Sequence, residues 1–183
     1  SDVLVDTRSR MNKSVDALQR ELSTIRTGRA SPALLENLTV DYYGVPTPLV
    51  QLASISVPEA RSLMIQPWDK QTLKEVEKSI LKSDLGLVPN NDGNLIRISI
   101  PTLTEERRKD LVKLVRRKVG EGHVSVRNIR RDSLETFRAM KGDKELSQDE
   151  SRRAQSDLQQ LTDSFVARMD ELKEEKEAEV MEV

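Results

Sequence analysis

The main helix of this chain is indicated by nine residues, Val124-Ser125-Val126-Arg127-Asn128-Ile129-Arg130-Arg131-Asp132. On a helical wheel that turns about 100° per residue, with Arg127 set at zero, Arg130 lies at about 300° and Arg131 at about 40°. Val126 lies at about 260° and Ile129 at about 200° on the same wheel. Three guanidinium groups therefore share one face of a helix, and an apolar stripe occupies another.

The same periodicity continues far beyond this stretch and indicates one long amphipathic helix. The apolar residues that share the core face are Leu111, Val115, Val119, Val126, Ile129, Phe137 and Met140. The cations within about 60° of Arg127 are Lys109, Lys113, Arg116, Arg130, Arg131 and Arg138. With a rise of about 1.5 Å per residue, these cations span roughly 44 Å. A line of positive charge of this length favours an extended polyanion.

Two interpretations of this charged face are open. Charged residues opposite a core stripe are usually only a solvated surface. The choice of Arg over Lys at Arg127, Arg130 and Arg131 favours nucleic acid instead, because a planar guanidinium binds phosphate through two hydrogen bonds and stacks on bases.

Composition limits the class of protein. The chain has 183 residues, a third of them charged and few aromatic, which favours long helices over a β-sandwich. It has no cysteine, which excludes disulfides, thiolate metal sites and thiol nucleophiles. No apolar stretch is long enough to cross a bilayer, and no signal-peptide pattern is present at the start, so we expect a cytoplasmic protein without membrane contact.

The formal net charge of −1 hides an asymmetry along the chain. Residues 105–131 carry ten Lys or Arg against four Asp or Glu, a net of +6, whereas residues 143–183 carry six against thirteen, a net of −7. A polyanion responds to the local field rather than to the total charge, so overall neutrality does not exclude an RNA partner.

Two further amphipathic helices flank the rest of the chain. Residues 2–27 repeat apolar positions at heptad spacing, and Gly28 is expected to cap that helix. The pattern Thr102-Leu-Thr-Glu105 fits a capping box at the start of the basic helix, which should run to about Lys141. Ser147-Gln-Asp-Glu150 fits a second capping box before a final helix.

Gly120 and Gly122 lie inside the basic helix, where they reduce helix propensity locally and could let a neighbouring helix or a ligand approach closely.

The middle of the chain follows a different pattern. All seven prolines lie between Ala30 and Thr102, where short alternating runs predict strands. These runs are Leu38–Tyr43, Ser54–Val57, Ser62–Gln66, Leu87–Val88 and Leu95–Ile100, with a helix over Gln71–Lys82 and a tight turn at Asn91–Asn94. We therefore predict an α+β fold of two domains, in which a small β/α/β domain is inserted into a long three-helix bundle.

The expected bundle comprises residues 1–29 and 104–183, and the inserted domain comprises residues 30–103. Two backbone crossings join them, at about 27–32 and 101–105, and this geometry suggests a hinge, although a rigidly docked domain is the alternative. The candidate hinge residues are Arg26, Thr27, Gly28, Arg29, Pro101, Thr102 and Thr104.

Residues for catalysis are not evident in the sequence. His123 is the only histidine, and Gly120 stands where a Glu-x-x-His di-iron motif would need its glutamate. No phosphate-binding glycine loop or dinucleotide fingerprint occurs. We therefore expect a protein that binds and moves, with no cofactor, no metal and no enzymatic activity. A coiled-coil adaptor that binds a protein partner through the acidic last helix, and a metal-dependent bundle enzyme, are alternatives.

Several blocks of the sequence resemble the successive signature blocks of bacterial ribosome recycling factors. The blocks are Ile25–Pro32, Asp41–Gly44, Thr47–Leu49 with Gln51–Ser54, Ser83–Leu87, Leu103–Lys109 and Val126–Arg131. They occur in the family's order, and the resemblance runs nearly end to end along the chain, so together the blocks are far more specific than any single one.

The resemblance implies a fold, partners and a site. It implies an L-shaped molecule that splits the post-termination ribosome together with elongation factor G and GTP hydrolysis on that partner. It places the bundle on large-subunit 23S ribosomal RNA near the peptidyl-transferase centre, with Arg127, Arg130 and Arg131 at RNA-contacting positions. From the charge pattern we add Arg116, Lys109 and Lys113 to this candidate RNA-binding set, and we expect a monomer.

Overall fold

The computed structural model describes residues 2–182, which divide into two compact units. One unit comprises the chain up to Arg26 together with the chain from Thr104 onward. The other unit is Thr27–Leu103. The fold is α+β: one unit is a bundle of three long helices, and the other is built on small β-sheets.

The helices are α1 (Asp2–Ser23), α2 (Leu49–Leu52), α3 (Leu73–Lys82), α4 (Glu105–Gly142) and α5 (Gln148–Met181), with single 3₁₀ turns at Pro32–Leu35 and Lys70–Thr72. The strands are β1 (Thr39–Tyr42), β2 (Val45–Pro48), β3 (Ala53–Glu59), β4 (Ser62–Pro67), β5 (Pro89–Asn91) and β6 (Ile96–Ser99).

Helices α1, α4 and α5 bury their apolar stripes against one another. The buried residues of α4 include Leu111, Val115, Val119, Val126, Ile129 and Phe137, all of which the periodicity placed on the core face. One buried polar contact crosses the bundle, where the hydroxyls of Thr7 and Ser133 lie 2.6 Å apart. This bond satisfies two groups that would each be costly to bury alone. Burial of these stripes fixes the rotation of each helix about its axis.

The ends of α4 and α5 are set by side-chain caps, one of which was predicted wrongly. The capping box of α5 is confirmed: Glu150 N–H donates to Ser147 Oγ at 3.1 Å, and Ser147 N–H donates to Glu150 Oε1 at 3.3 Å. The capping box expected at Thr102 is wrong, because Thr104 is the N-cap and accepts a hydrogen bond from Arg107 N–H at 3.0 Å. Helix α4 therefore begins at Glu105.

Helix α1 is shorter than the heptad pattern predicted. It ends at Ser23, so Gly28 is not its cap. The hydroxyls of Ser23 and Thr24 donate to the carbonyls of Arg20 and Glu21 at 2.6 and 2.7 Å, and Thr24 N–H also bonds to Glu21 C=O at 3.2 Å. These i to i−3 bonds tighten the last turn and end the α-helical ladder.

The inserted unit contains two antiparallel sheets. Strands β1 and β2 form one, and the other has the order β3-β4-β6-β5. Helix α3 covers a core of twelve buried residues: Leu35, Val40, Leu49, Ala53, Leu63, Ile65, Leu73, Val76, Ile80, Leu87, Ile96 and Ile98.

The predicted strand at Leu87–Val88 is wrong, since β5 begins at Pro89. The predicted tight turn does join β5 to β6, and Asp92 Oδ1 accepts hydrogen bonds from the backbone N–H groups of Asn94 and Leu95. These donors lower the pKa of Asp92.

The two glycines in the middle of α4, Gly120 and Gly122, have different surroundings. A Cβ added to Gly122 would lie 3.1 Å from Met169 Sδ and 3.4 Å from Leu18 Cδ2, so the expected close approach of neighbouring helices occurs there. A Cβ at Gly120 would meet nothing within 4 Å. The expected close approach of a neighbouring helix is therefore confirmed at Gly122 and wrong at Gly120, and the approach of a ligand to Gly120 stays a prediction.

This difference predicts opposite outcomes for two alanine substitutions. Gly120→Ala should raise the free energy of unfolding by about 0.5–1 kcal/mol, because alanine has the higher helix propensity and the added methyl group is unobstructed. Gly122→Ala should give no such gain, because the fully buried Met169 must move to make room. Urea unfolding followed by circular dichroism measures both free energies of unfolding. Equal stabilisation by the two substitutions would contradict the close packing of Met169 and Leu18 against Gly122.

Candidate nucleic-acid interface

The cations predicted on one face of α4 do share an exposed face in the structure. We call Lys109, Lys113, Arg116, Arg127, Arg130, Arg131 and Arg138 the cationic stripe. All are exposed except Arg130, which is half-buried. Among the residues that the structure describes, Arg127 and Arg131 have no hydrogen-bond or ion-pair partner. Their donors are therefore available to an external acceptor.

One edge of the cationic stripe contacts α5. Arg116 Nε donates to Glu177 Oε1 at 2.8 Å, and Arg130 Nε donates to Gln159 Oε1 at 3.0 Å. Between them, His123 Nε2 lies 2.9 Å from Asp170 Oδ1, so His123 is a half-buried interhelical contact rather than ordinary surface.

The opposite side of α4 contacts α1. Arg10 Nη2 donates to Asp132 Oδ2 at 3.1 Å, and the hydroxyls of Ser14 and Ser125 lie 2.9 Å apart. Lys118 Nζ lies 3.6 Å from Glu21 Oε2. Arg127 and Arg131 take part in none of these contacts with α1 and α5 within the described residues.

The six candidate RNA-binding residues are thus not equivalent. Arg127, Arg131, Lys109 and Lys113 have no partner within the described chain, Arg116 is neutralised in part by Glu177, and Arg130 is hydrogen-bonded to a neutral amide. The helical wheel of α4 places all six residues on one face but carries no information about their partners on α5. The sequence therefore did not predict the contact of His123 with Asp170 or that of Gln159 with Arg130.

This arrangement suits binding rather than catalysis. Unpaired guanidinium groups can bind phosphate through paired hydrogen bonds and can stack on exposed bases. Across the described residues 2–182, no group of three or more His, Asp or Glu side chains is arranged to hold a metal ion. None of the described helices is long and apolar enough to span a membrane.

The candidate hinge residues occupy the two crossings between the units. Gly28 adopts φ +77°, a conformation that residues with a Cβ rarely adopt, and a Cβ there would lie 3.3 Å from Leu103 Cγ and 3.5 Å from Pro101 O. The first crossing therefore runs beside the second. Pro101, Thr102 and Thr104 are exposed, and Thr104 also caps α4.

The inserted unit also has exposed aromatic residues that the sequence did not single out. Tyr43 and Trp68 are 70% and 72% exposed. The Tyr43 hydroxyl lies 3.1 Å from Asp69 Oδ2 and 3.2 Å from Gln71 Oε1. The hydrogen bond to the Asp69 carboxylate raises the pKa of Tyr43, which keeps its hydroxyl protonated as a donor.

The free arginines should contribute nothing measurable to folding. Arg127→Ala and Arg131→Ala are each expected to change the free energy of unfolding by less than about 0.5 kcal/mol, because neither guanidinium bonds to the described protein. Thr7→Val is the contrasting variant, since it leaves the buried Ser133 hydroxyl without its partner and should cost about 1–3 kcal/mol. A comparable loss in the arginine variants would show that the stripe has a structural role.

Comparisons with known proteins agree with the resemblance. The family model described as ribosome recycling factor matches residues 18–181. The chain is 57% identical over 176 residues to the ribosome-recycling factor of Geobacillus sp. (strain WCH70), covering 96% of this chain and 95% of the relative. It is 51% identical to that of Bacillus subtilis (strain 168), covering 100% and 98%.

Solved structures give the same result. A solution structure of a ribosome recycling factor is similar with a TM-score of 0.75 and 41% identity, covering 100% of this chain and 97% of that chain. Models of the T. thermophilus ribosome recycling factor and the E. coli elongation factor G bound to the E. coli post-termination complex include a chain with a TM-score of 0.63 and 48% identity, covering 99% and 98%. Sequence, fold and full-length coverage agree, and the chain belongs to the ribosome recycling factor family.

Proposed function

We propose that this protein binds the post-termination ribosome through the cationic stripe of α4 and, together with elongation factor G and GTP, splits it into subunits for a new round of translation. The observation that carries the proposal is a line of mostly exposed cations, in which Lys109, Lys113, Arg127 and Arg131 have no partner within the described residues, on a chain that matches ribosome recycling factors over its full length. Members of this family are translation factors and not enzymes, so the energy comes from GTP hydrolysis on the partner.

The partners follow from the family and from one related structure. The T. thermophilus factor, 48% identical to this chain, is described with elongation factor G on the post-termination complex. We assign the same partners here, and we place the protein in the bacterial cytoplasm, since the relatives named above are bacterial. We expect it to act as a monomer.

Electrostatics supports large-subunit 23S ribosomal RNA as the binding surface. Lys and Arg side chains that contact phosphates release condensed counterions, which makes binding strong at low salt and weaker as salt rises. The stripe is roughly 44 Å long at the helical rise, which matches an extended run of RNA backbone. Arginine adds hydrogen-bond geometry and stacking to this non-specific attraction.

The coiled-coil adaptor is the less supported alternative. The apolar residues of α5 that such an adaptor would offer to a partner helix are buried inside the bundle, among them Leu158, Phe165, Met169 and Leu172. The remaining surface of α5 is mainly acidic, and binding to a single protein without binding to ribosomal RNA would favour this alternative.

We further propose that the two crossings act as a hinge. Each crossing is a single segment of backbone, and the two run side by side at Gly28 and Pro101–Leu103. Two parallel segments restrict twisting more than one would, while short loop residues can still change φ and ψ. A push on the inserted unit would then reach the bundle and the RNA bound to it.

RNA binding can be tested by salt titration. Arg127→Ala and Arg131→Ala should each weaken binding to purified large ribosomal subunits by about tenfold, since each removes charge-assisted hydrogen bonds to phosphate. The slope of log K against log salt should fall by about 0.7–1 for each arginine.

Arg168→Ala provides the matched control for this experiment. Arg168 is an exposed arginine on α5 that pairs with Glu171 at 3.2 Å on its own helix. Its removal changes the net charge equally but should leave affinity and slope nearly unchanged. Equal losses in all three variants would mean that total charge, and not the stripe, governs binding.

The hinge can be tested by loosening it. Inserting two glycines at each crossing, after Arg26 and after Leu103, should leave large-subunit binding intact and slow subunit splitting with elongation factor G and GTP, because a slack joint transmits little force. The same insertion after Gly93, in the β5–β6 turn, is the control. Full splitting activity in the loosened variant would remove the hinge from the mechanism.

A further inference from the structure

Three contacts between α4 and α5 form a regular series. Arg116 pairs with Glu177, His123 contacts Asp170, and Arg130 bonds to Gln159. Arg116, His123 and Arg130 are separated by seven residues each, which is two helical turns. Because α5 runs back along α4, the expected acidic positions step down by seven from Glu177 to Asp170 to Asp163. The third position is therefore Asp163.

The third contact departs from this pattern. Asp163 does not pair with Arg130 in the structure; its Oδ1 accepts a hydrogen bond from Gln159 Nε2 at 2.8 Å. The other end of the same amide, Gln159 Oε1, accepts the hydrogen bond from Arg130 Nε at 3.0 Å. A neutral amide thus stands between the arginine and the carboxylate.

We call the hydrogen-bonded series Arg130–Gln159–Asp163 the relay, and it affects the local charge of the cationic stripe. Where a carboxylate pairs directly with a guanidinium, as at Glu177 and Arg116, the local positive field is reduced. Arg130 is held by a neutral group through Nε alone, so no carboxylate pairs with it directly and both terminal nitrogens are available to a phosphate. Asp163 fixes the amide, because its carboxylate takes the Nε2 end and leaves Oε1 facing Arg130.

We propose that Gln159 and Asp163 are positioning residues that hold Arg130 in place for an RNA phosphate without neutralising it. This inference rests on the proposed function, since it requires Arg130 to contact RNA. It adds a requirement that the charge pattern of α4 alone does not predict. The residue of α5 that faces Arg130 must be neutral.

The first readout needs no RNA. The Arg130 Nε–H resonance should be resolved and slow to exchange in ¹⁵N NMR spectra, unlike that of Arg127, which has no partner in the described chain. Gln159→Ala should abolish this protection. Fast exchange at Arg130 in the unmodified protein would overturn the relay.

The decisive experiment changes the charge of Gln159. Gln159→Glu should pair directly with Arg130 and weaken binding to purified large ribosomal subunits by about five- to tenfold, comparable with Arg130→Ala. The free energy of unfolding should change by less than about 1 kcal/mol, because the new exposed ion pair with Arg130 is worth about 0–1 kcal/mol and repulsion from the carboxylate of Asp163, four residues along the same helix, offsets it. A purely structural role for Gln159 would give the reverse outcome, with lower stability and unchanged affinity.

Gln160→Glu is the matched control. It introduces the same charge at the adjacent residue, but Gln160 lines a groove with Leu4, Val5 and Arg8 of α1, on a different side of α5. Its affinity for the large subunit should stay close to that of the unmodified protein. If Gln159→Glu and Gln160→Glu weaken binding equally, the relay is overturned, because only general repulsion is acting.

Asp163→Ala separates positioning from electrostatics by the sign of its effect. Removing a negative charge near an RNA site should tighten binding if charge alone matters. The relay predicts weaker binding, because the Gln159 amide loses the group that orients it. Tighter binding in Asp163→Ala would overturn the positioning role.

The series also distinguishes failure of the relay from failure of the proposed site. If Arg130→Ala binds as tightly as the unmodified protein, Arg130 does not contact RNA, and both the site assignment and the relay are wrong. If Arg130→Ala is weak but Gln159→Glu is not, only the relay is wrong. In the Arg130→Ala background, Gln159→Glu should have no further effect, and an additive loss would show that Gln159 acts elsewhere.

Discussion

Burial of the apolar stripe of α4 between α1 and α5 is the constraint from which the rest of the site follows. Val126, Ile129 and Phe137 are almost completely buried, so α4 cannot rotate without exposing them. One residue of helix is about 100° of rotation, and a shift of that size would bring Arg127 or Arg131 into contact with a neighbouring helix. The hydrophobic core therefore determines which guanidinium groups face solvent, although none of its residues touches a partner.

Close packing at Gly122 shows how the bundle accommodates this constraint. Glycine inside a helix costs roughly 1 kcal/mol relative to alanine. Met169 and Leu18, which come from two different helices, fill the space that a Cβ would occupy, and Met169 is fully buried. Their dispersion contacts offset the lost helix propensity, and α4 remains one continuous helix.

The sequence predicted the three helices and most strands because hydrophobic periodicity reports burial directly. Helix ends depend on competing local bonds, and here prediction was less accurate. Thr102 fits the capping-box pattern better than Thr104, yet Thr104 caps α4. Leu103 packs beside Gly28, and a helix that began at Thr102 would include Leu103 in its first turn. The N-cap at Thr104 leaves Leu103 outside the helix and beside Gly28, a residue distant in sequence that no local motif contains.

For the candidate site, the sequence predicted which residues share a face of α4 but not which of them have partners on α5. The wheel of α4 places Arg116 and Arg130 on one edge of the same face, but their partners depend on the register of α5, which only the folded bundle defines. That register also resolves an electrostatic conflict. An acidic α5 attracts a basic α4, yet the same carboxylates would weaken the attraction of α4 for RNA. Contacts at one edge alone, with an amide at Arg130, keep the acids near α4 while Arg127 and Arg131 stay free.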